Sequence, residues 1–339
     1  MDTMTEWDDA RRSDRRSGRR RDRLLVAAVV ALVAVLLAAC GSSESDDGST
    51  SKVRIALSTP LLWPEVSVAN EADLWAKHDL EPVITEFPTG NEANQSLLGG
   101  SADVATVAPT PVLLSSAEGN DVRVVGLAGY WENWRIQALR ASGISTPADL
   151  AGKSIGVTLG SSSEMGLQVF LEENGLSAND VELVNVRPPD MIPSISKSSV
   201  DAINIWQPMT YRAEQTIPDD ERIDFPYTFR NNYLFVTTQP VLDEKRDLMV
   251  RFMAVMREAA DLMASDAETA TSAIAKASGL TDEEAKAVLA EYHASGGPAD
   301  EGVIGEFEFI EKFTRDNGTL PADFTLDLEE LLVDDVAGE

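Results

Sequence analysis

Among 339 residues there is one cysteine, Cys40, and there are two histidines, His78 and His293. One thiol excludes an intrachain disulfide, and each histidine sits in a helical pattern with no second ligand four residues on, so no metal centre is expected. Cations are scarce as well: 28 Lys plus Arg face 57 Asp plus Glu, a formal net charge of −29. A surface of that sign repels nucleic acid, which is excluded as a partner. Catalytic motifs are missing too. Gly160-Ser161-Ser162-Ser163-Glu164 lacks the second glycine of a nucleophile elbow, and ahead of Gly152-Lys153-Ser154 a P-loop's first glycine is replaced by Pro147. No catalytic residue is assigned, no cofactor is expected, and the chain is not read as an enzyme.

What the chain does have begins at its N-terminus. Eight arginines lie between Arg11 and Arg23, and the sixteen residues from Leu24 to Ala39 are all apolar. A basic segment followed by an apolar one of that length has the form of an export signal, near the lower limit for a membrane-spanning helix. It ends in Leu37-Ala38-Ala39-Cys40, which resembles the lipobox of bacterial lipoproteins. The resemblance implies cleavage before Cys40 and acylation of its sulfur, so that lipid holds the protein to the outer face of the cell membrane. Residues 1–39 are read as signal peptide and 40–51 as a flexible tether, since GSSESDDGSTS has no apolar side chain to pack. Loss of the signal's eight Arg and six Asp plus Glu would leave 20 basic and 51 acidic residues, a net charge of −31.

The folded part is expected from residue 52 onward. Short β-type runs at 53–58, 82–87, 103–108 and 122–129 alternate with helical patterns at 67–79, 91–98 and just after 110. A second series has strands at 135–140, 154–158, 181–186 and 201–205, with helices at 162–175 and near 189–197. This alternation predicts α/β architecture with parallel sheet and helices on both faces. After a strand at 233–238, only helices are expected, near 240–265, 267–278, 281–294 and 300–316. Ser96–Val107 aligns without gaps to Ser194–Ile205, each reading as helix end, polar turn, aspartate and buried strand. Two related lobes would explain the echo, and ligands in such sheets bind beyond the carboxyl ends of strands. That rule directs attention to Ala108-Pro109-Thr110 and Trp206-Gln207-Pro208.

Three segments carry a family resemblance: Gly99-Gly100-Ser101-Ala102-Asp103-Val104-Ala105 followed by Thr110-Pro111; Ser145 to Lys153 leading into Ile155-Gly156-Val157; and Val200-Asp201-Ala202 followed by Trp206-Gln207-Pro208. In order and spacing the chain resembles the extracytoplasmic solute-binding proteins of ABC importers, in the nitrate/sulfonate/taurine and thiamine-precursor branch. The resemblance implies a bilobal type II periplasmic-binding-protein fold, two doubly wound lobes joined by a hinge. Lobe 1 would comprise 52–135 and 238–339, and lobe 2 136–237. It also implies hinge closure on a small molecule and docking on a membrane permease with a cytoplasmic ATPase. Two departures stand out: Lys197-Ser198-Ser199 occupies a site where the family usually has glycine, and Gln207 stands where it often has glutamate.

Candidate ligand-binding residues are Trp63, Glu65, Pro109, Thr110, Tyr130, Trp131, Asn133, Ser161, Ser162, Trp206 and Gln207. Trp63, Trp131, Trp134 and Trp206 are read as lying on loops at strand ends, whereas Trp75 reads as core. Tyr130 to Trp134 suits either a stacking wall for the ligand or packing at the hinge. Ser161 and Ser162 open a helix whose free N–H groups suit an anionic head, and Ser161 with Glu164 also reads as a capping box. Glu65 and Glu132 suit an amine instead. A heteroaromatic precursor-like compound and an organic sulfonate or carboxylate therefore both stand as ligand readings. The absence of His and Lys from these loops disfavours nitrate. A lipid-anchored enzyme or sensor domain of the same fold is the alternative from a different class.

Overall fold

A computed structural model describes residues 50–321 and 323–338. The signal peptide, Cys40 and the tether as far as Ser49 lie outside the described residues. No helix among the described residues is long and apolar enough to cross a membrane.

Parallel βαβ units start at Ser51. β1 (Ser51–Ser58), β2 (Leu80–Phe87) and β3 (Val104–Val107) run parallel, connected through α1 (Pro64–Glu71), α2 (Leu74–Lys77) and α3 (Gly90–Leu98). α4 (Pro109–Ala117) follows β3. The arrangement recurs with β5 (Ser154–Val157), α5 (Ser162–Glu173), β6 (Glu182–Asn185), α6 (Pro188–Ser196) and β7 (Ala202–Asn204). Every residue of β3 and β7 is buried, as central strands covered on both faces require, whereas β2 and β6 at the sheet edges are largely exposed or half-buried.

Two long strands, β4 (Val122–Leu139) and β8 (Arg222–Thr238), pair antiparallel from Val122↔Thr238 to Leu139↔Arg222 and run through both halves. β3 pairs with the end of β8, and β7 with the end of β4. Among the described residues this makes one sheet, ordered β2-β1-β3-β8-β4-β7-β5-β6, with β9 (Tyr292–Gly297) added on β4. From either edge the order is second parallel strand, first, third, then the two crossing strands. α7 (Met209–Thr216) follows β7, and α8 (Gln239–Ser265), α9 (Ala267–Ser278), α10 (Asp282–Leu289) and α11 (Glu301–Asp316) cover the first half.

The echo between Ser96–Val107 and Ser194–Ile205 is structural. Asp103 N–H donates to Arg54 O and Asp201 N–H to Ser154 O, both at 2.8 Å, so each aspartate returns the chain to the first strand of its own half. Each carboxylate accepts from that strand's backbone in turn: Arg54 N–H donates to Asp103 Oδ2 at 2.9 Å and Ser154 N–H to Asp201 Oδ2 at 3.0 Å. Asp103 is buried, which raises its pKa, but bonds from Arg54 and Lys245 outweigh burial and hold the carboxyl below its ordinary range. The turns match as well: Gly100 has φ 72° and Ser198, its counterpart, φ 54°.

Four segments depart from expectation. The helix expected over 67–79 is two helices, broken at Asp73 in a left-handed conformation of φ 53°. The strands expected at 122–129 and 135–140 are one strand, so Tyr130 to Trp134 form the middle of β4 and not a loop; register shifts at Trp131/Asn133 mark a bulge there. β8 begins eleven residues before the expected 233, at Arg222. The helix expected over 281–294 ends at Leu289, and Tyr292–Gly297 pairs as a strand with β4. The parallel sheet expected is present within each half, and the crossing strands and β9 add antiparallel pairs to it.

Candidate functional site

The carboxyl ends of the parallel strands of both halves meet over β8. Ser58 and Thr59 follow β1, Thr89 to Asn91 follow β2 and open α3, and Ala108 and Pro111 lie where β3 passes into α4. Facing them, Ser161 and Ser162 open α5 after β5, and Trp206 follows β7. These residues, with Leu62, Trp63, Asn231 and Tyr233, line one narrow cleft of about 30 Å³. The two halves touch across it, where Asn91 Nδ2 donates to Gly160 O at 3.3 Å, and beside it, where Arg187 pairs with Glu92 at 3.0 Å. A second hollow of about 180 Å³ adjoins it, sharing Thr59 and Trp206 and running outward past Pro188, Met209 and Arg212.

Among the described residues, no charged side chain lines the cleft itself. Its electrostatics come from helix N-termini: those of α3, α4 and α5 converge there, each with the positive end of its dipole, and α3 and α5 with unpaired N–H groups, whereas α4 opens with Pro109 and Pro111 and offers only the N–H of Thr110. α5 is the best anchored of the three. Gly160 adopts φ 69°, a conformation that suits glycine, and its N–H donates to Glu164 Oε2 at 2.7 Å. Ser161 Oγ donates to Thr158 O at 2.6 Å and accepts from Ser163 N–H at 3.1 Å. From below, Asn204 of β7 donates Nδ2 to Ser163 O at 2.7 Å, and Tyr227 OH donates to Asn204 Oδ1 at 3.2 Å. The capping box is therefore displaced by one residue, with Glu164 on Gly160 rather than on Ser161. Among the described residues, neither the N–H nor the hydroxyl of Ser162 has a protein partner.

Aromatic rings form the other walls. Trp63 caps α1 by position, donates Nε1 to Leu234 O at 3.2 Å, and meets the Tyr233 ring edge-on at 4.9 Å between centroids. Trp206 is held by the turn into α7, where Met209 N–H donates to Trp206 O at 3.1 Å. Thr59, also on the wall, has φ 42°, a strained conformation for a β-branched residue.

Of the residues singled out from sequence, Trp63, Ser161, Ser162 and Trp206 come together in this cleft. Pro109 and Thr110 are buried between two residues that line it, and Thr110 Oγ1 has no partner among the described residues. Gln207 Oε1 accepts from Tyr211 N–H at 3.1 Å, capping α7. The rest lie elsewhere. Trp131 is buried against Tyr292, Tyr130 stacks on His293 with Arg230 over its ring, and Asn133 is exposed on β4. Glu65 is fully buried in α1, where it accepts from Tyr292 OH at 3.0 Å; burial pushes its pKa up to about 8 despite that bond. Asn231 and Tyr233 were not singled out, because the strand that carries them is only partly visible as a strand pattern. Thr89 to Asn91 could have been found by the strand-end rule applied to β2.

The sequence signature of the family described as NMT1/THI5 like matches residues 65–270. A chain designated a binding protein in Brucella abortus is 26% identical over 216 residues, covering 62% of this chain and 66% of that one. One designated an aliphatic sulfonates-binding protein in Bacillus subtilis is 28% identical over 235 residues, covering 65% and 68%. The chain thus spans about two thirds of the length of the curated relatives it matches. The crystal structure of the periplasmic aliphatic sulphonate binding protein SsuA from Escherichia coli superposes with a TM-score of 0.67 at 20% identity, covering 86% of this chain and all of that one. The fold is therefore that of the periplasmic binding proteins.

Proposed function

Since the chain belongs to the NMT1/THI5-like family, we propose that it is an extracytoplasmic solute-binding receptor of an ABC importer whose ligand is a small organic anion, an organic sulfonate before a carboxylate. The observation that carries the reading is Ser162: its unpartnered hydroxyl and amide open a twelve-residue helix and face a cleft walled by Trp63 and Trp206. An anionic head on those donors would have its negative charge at the positive end of the α5 dipole, and an apolar body would lie between the rings. Glu65, the residue that would have favoured an amine, is buried outside the cleft and mostly neutral near pH 7. The names of relatives that bind sulfonates agree with this assignment.

In this reading lobe 1 comprises 52–135 and 238–339 and lobe 2 136–237, with β4 and β8 as the crossings and the bulge at Trp131/Asn133 as the place where they bend. A narrow cleft of this kind fits a receptor whose lobes part to admit a ligand. Closure on it would present the permease with a surface absent from the open form. Cys40 would hold the receptor beside that permease through lipid.

Thermal melts of the tether-free protein with methanesulfonate, ethanesulfonate, the matching carboxylates and alkylamines test the ligand class. Sulfonates should raise Tm in proportion to their affinity. A shift with amines alone would overturn the assignment. Anchoring is tested separately: labelled palmitate should enter the wild type and not Cys40→Ser, and equal labelling of both would rule out the lipobox.

A further inference from the structure

Behind the cleft, Asn231 is completely buried in β8 and contributes to the cleft wall. Its Nδ2 donates to Glu306 Oε1 at 3.0 Å, while Glu306 Oε2 accepts from Asn232 N–H at 2.8 Å and from Asn232 Nδ2 at 2.6 Å. Glu306 belongs to α11 and is itself buried. Asn232 is fixed in turn, since Arg230 Nε donates to its Oδ1 at 3.1 Å and its Nδ2 also donates to Gly302 O at 3.2 Å. A carboxylate only accepts, so Glu306 admits one orientation of the Asn231 amide, with Nδ2 toward the carboxylate. The other end, Oδ1, is a buried acceptor with no protein partner among the described residues. A buried acceptor left unpaired is costly, and a ligand seated against it without a donor would keep it so.

Building on the reading of the cleft as an organic-anion site, we propose that Glu306 is a positioning residue that turns Asn231 Oδ1 toward the ligand and makes the receptor selective for anions that also carry an N–H or O–H donor. Two features of the ligand are then read in one cleft, whose lining includes both Ser162 and Asn231. The anionic head meets the amide and hydroxyl of Ser162, and a hydroxyl or ammonium group meets Asn231. Glu306 acts without touching the ligand, and α11 lies beyond residues 65–270, which the family signature matches. The acceptor is thus set by a part of the chain that the family signature does not cover.

The test is calorimetric titration at pH 8, where a carboxyl that burial raises to about 7 is ionised. The probes are ethanesulfonate against 2-hydroxyethanesulfonate and 2-aminoethanesulfonate, and propionate against 3-hydroxypropionate. The wild type should prefer the donor-bearing member of a pair by about tenfold or more. Asn231→Leu should abolish the preference. Glu306→Gln, whose amide can donate to Asn231 and let it turn over, should reduce the preference to within about threefold. Ser162→Ala should weaken both members of a pair alike. Ligand-free melts of each variant identify any that fail to fold, and the conservative Glu306→Gln carries the test if Asn231→Leu does. Equal binding of both members by the wild type overturns the proposal, as does a preference unchanged in Glu306→Gln. A preference seen only in the carboxylate pair would sustain the role of Glu306 and refute the sulfonate reading, and binding of neither pair refutes both.

Discussion

Replacing Glu65 by glutamine should make the protein more stable at neutral pH and leave it unchanged in acid. The carboxyl is fully buried and is pushed up to about 8 from an ordinary 4.5, first by burial, against the lowering effect of its hydrogen bonds. A group whose folded pKa is raised contributes stability that is fully present below the unfolded value and is lost as pH rises toward the folded one. Between pH 4.5 and 8 the folded chain thus holds a proton that the unfolded chain has released, and stability falls across that window. At pH 7 about 2.5 pH units have been crossed, each worth about 1.36 kcal/mol, so Glu65 costs the fold about 3 kcal/mol relative to a neutral side chain. Glutamine keeps the shape and the carbonyl that accepts from Tyr292 OH and does not titrate. Urea unfolding of both proteins at pH 4, 5, 6, 7 and 8 should give curves that coincide near pH 4 and separate by about 3 kcal/mol at pH 7. Glu306, raised by burial to about 7, tilts both curves equally and drops out of their difference. Curves that run parallel at every pH would show that Glu65 is ionised in the fold, and would return it to consideration as a partner for a cation.

Two further substitutions separate packing from binding and test the repeated turn. Trp131→Ala should lower the ligand-free Tm, since truncating a buried aromatic costs roughly 3–5 kcal/mol, while the ligand-induced shift is retained; loss of that shift with an unchanged ligand-free melt would put Trp131 back on the ligand. Ser198→Gly should stabilise by about 0.5–1 kcal/mol, because the exposed serine is held at φ 54° where its counterpart is Gly100; denaturant melts that show a loss would mean the serine side chain contributes a contact.

The parts of the fold that could be read from sequence are those where local chemistry and tertiary position agree. The short run Val104–Val107, rich in β-branched residues and bounded by turn residues, reads as a central strand and is one, and Pro109 and Pro188 open helices where a missing N–H costs nothing. The aspartates of the echo were visible because each closes the same turn onto the same strand. The crossing strands were harder to see. Glu132 and Asn133 interrupt the apolar pattern of β4 at its bulge, and β8 carries Pro226, Arg230, Asn231 and Asn232, so half of it has no strand signature. Trp206 was singled out by the strand-end rule and Ser162 as the opening of a helix, and both signals need only the local elements to be right; the structure places both residues on the cleft. Glu65 suits an amine by residue type, and its burial against Tyr292 could not be read because it depends on β9, a strand that the sequence pattern presents as helix. Asn231 could not be found at all, because its free oxygen exists only once α11 has brought Glu306 to the other end of its amide.

The central claim is that an organic anion is held between Ser162 and the tryptophans of the cleft, and calorimetric titration of wild type and Trp206→Ala with an organic sulfonate measures it directly. Saturable one-to-one binding by the wild type is expected. Trp206→Ala should lose about 2 kcal/mol of it, near thirtyfold in affinity, alongside a lower ligand-free Tm, because the ring is also buried. Equal affinity in the two proteins would contradict the account, as would a wild type that binds no organic anion.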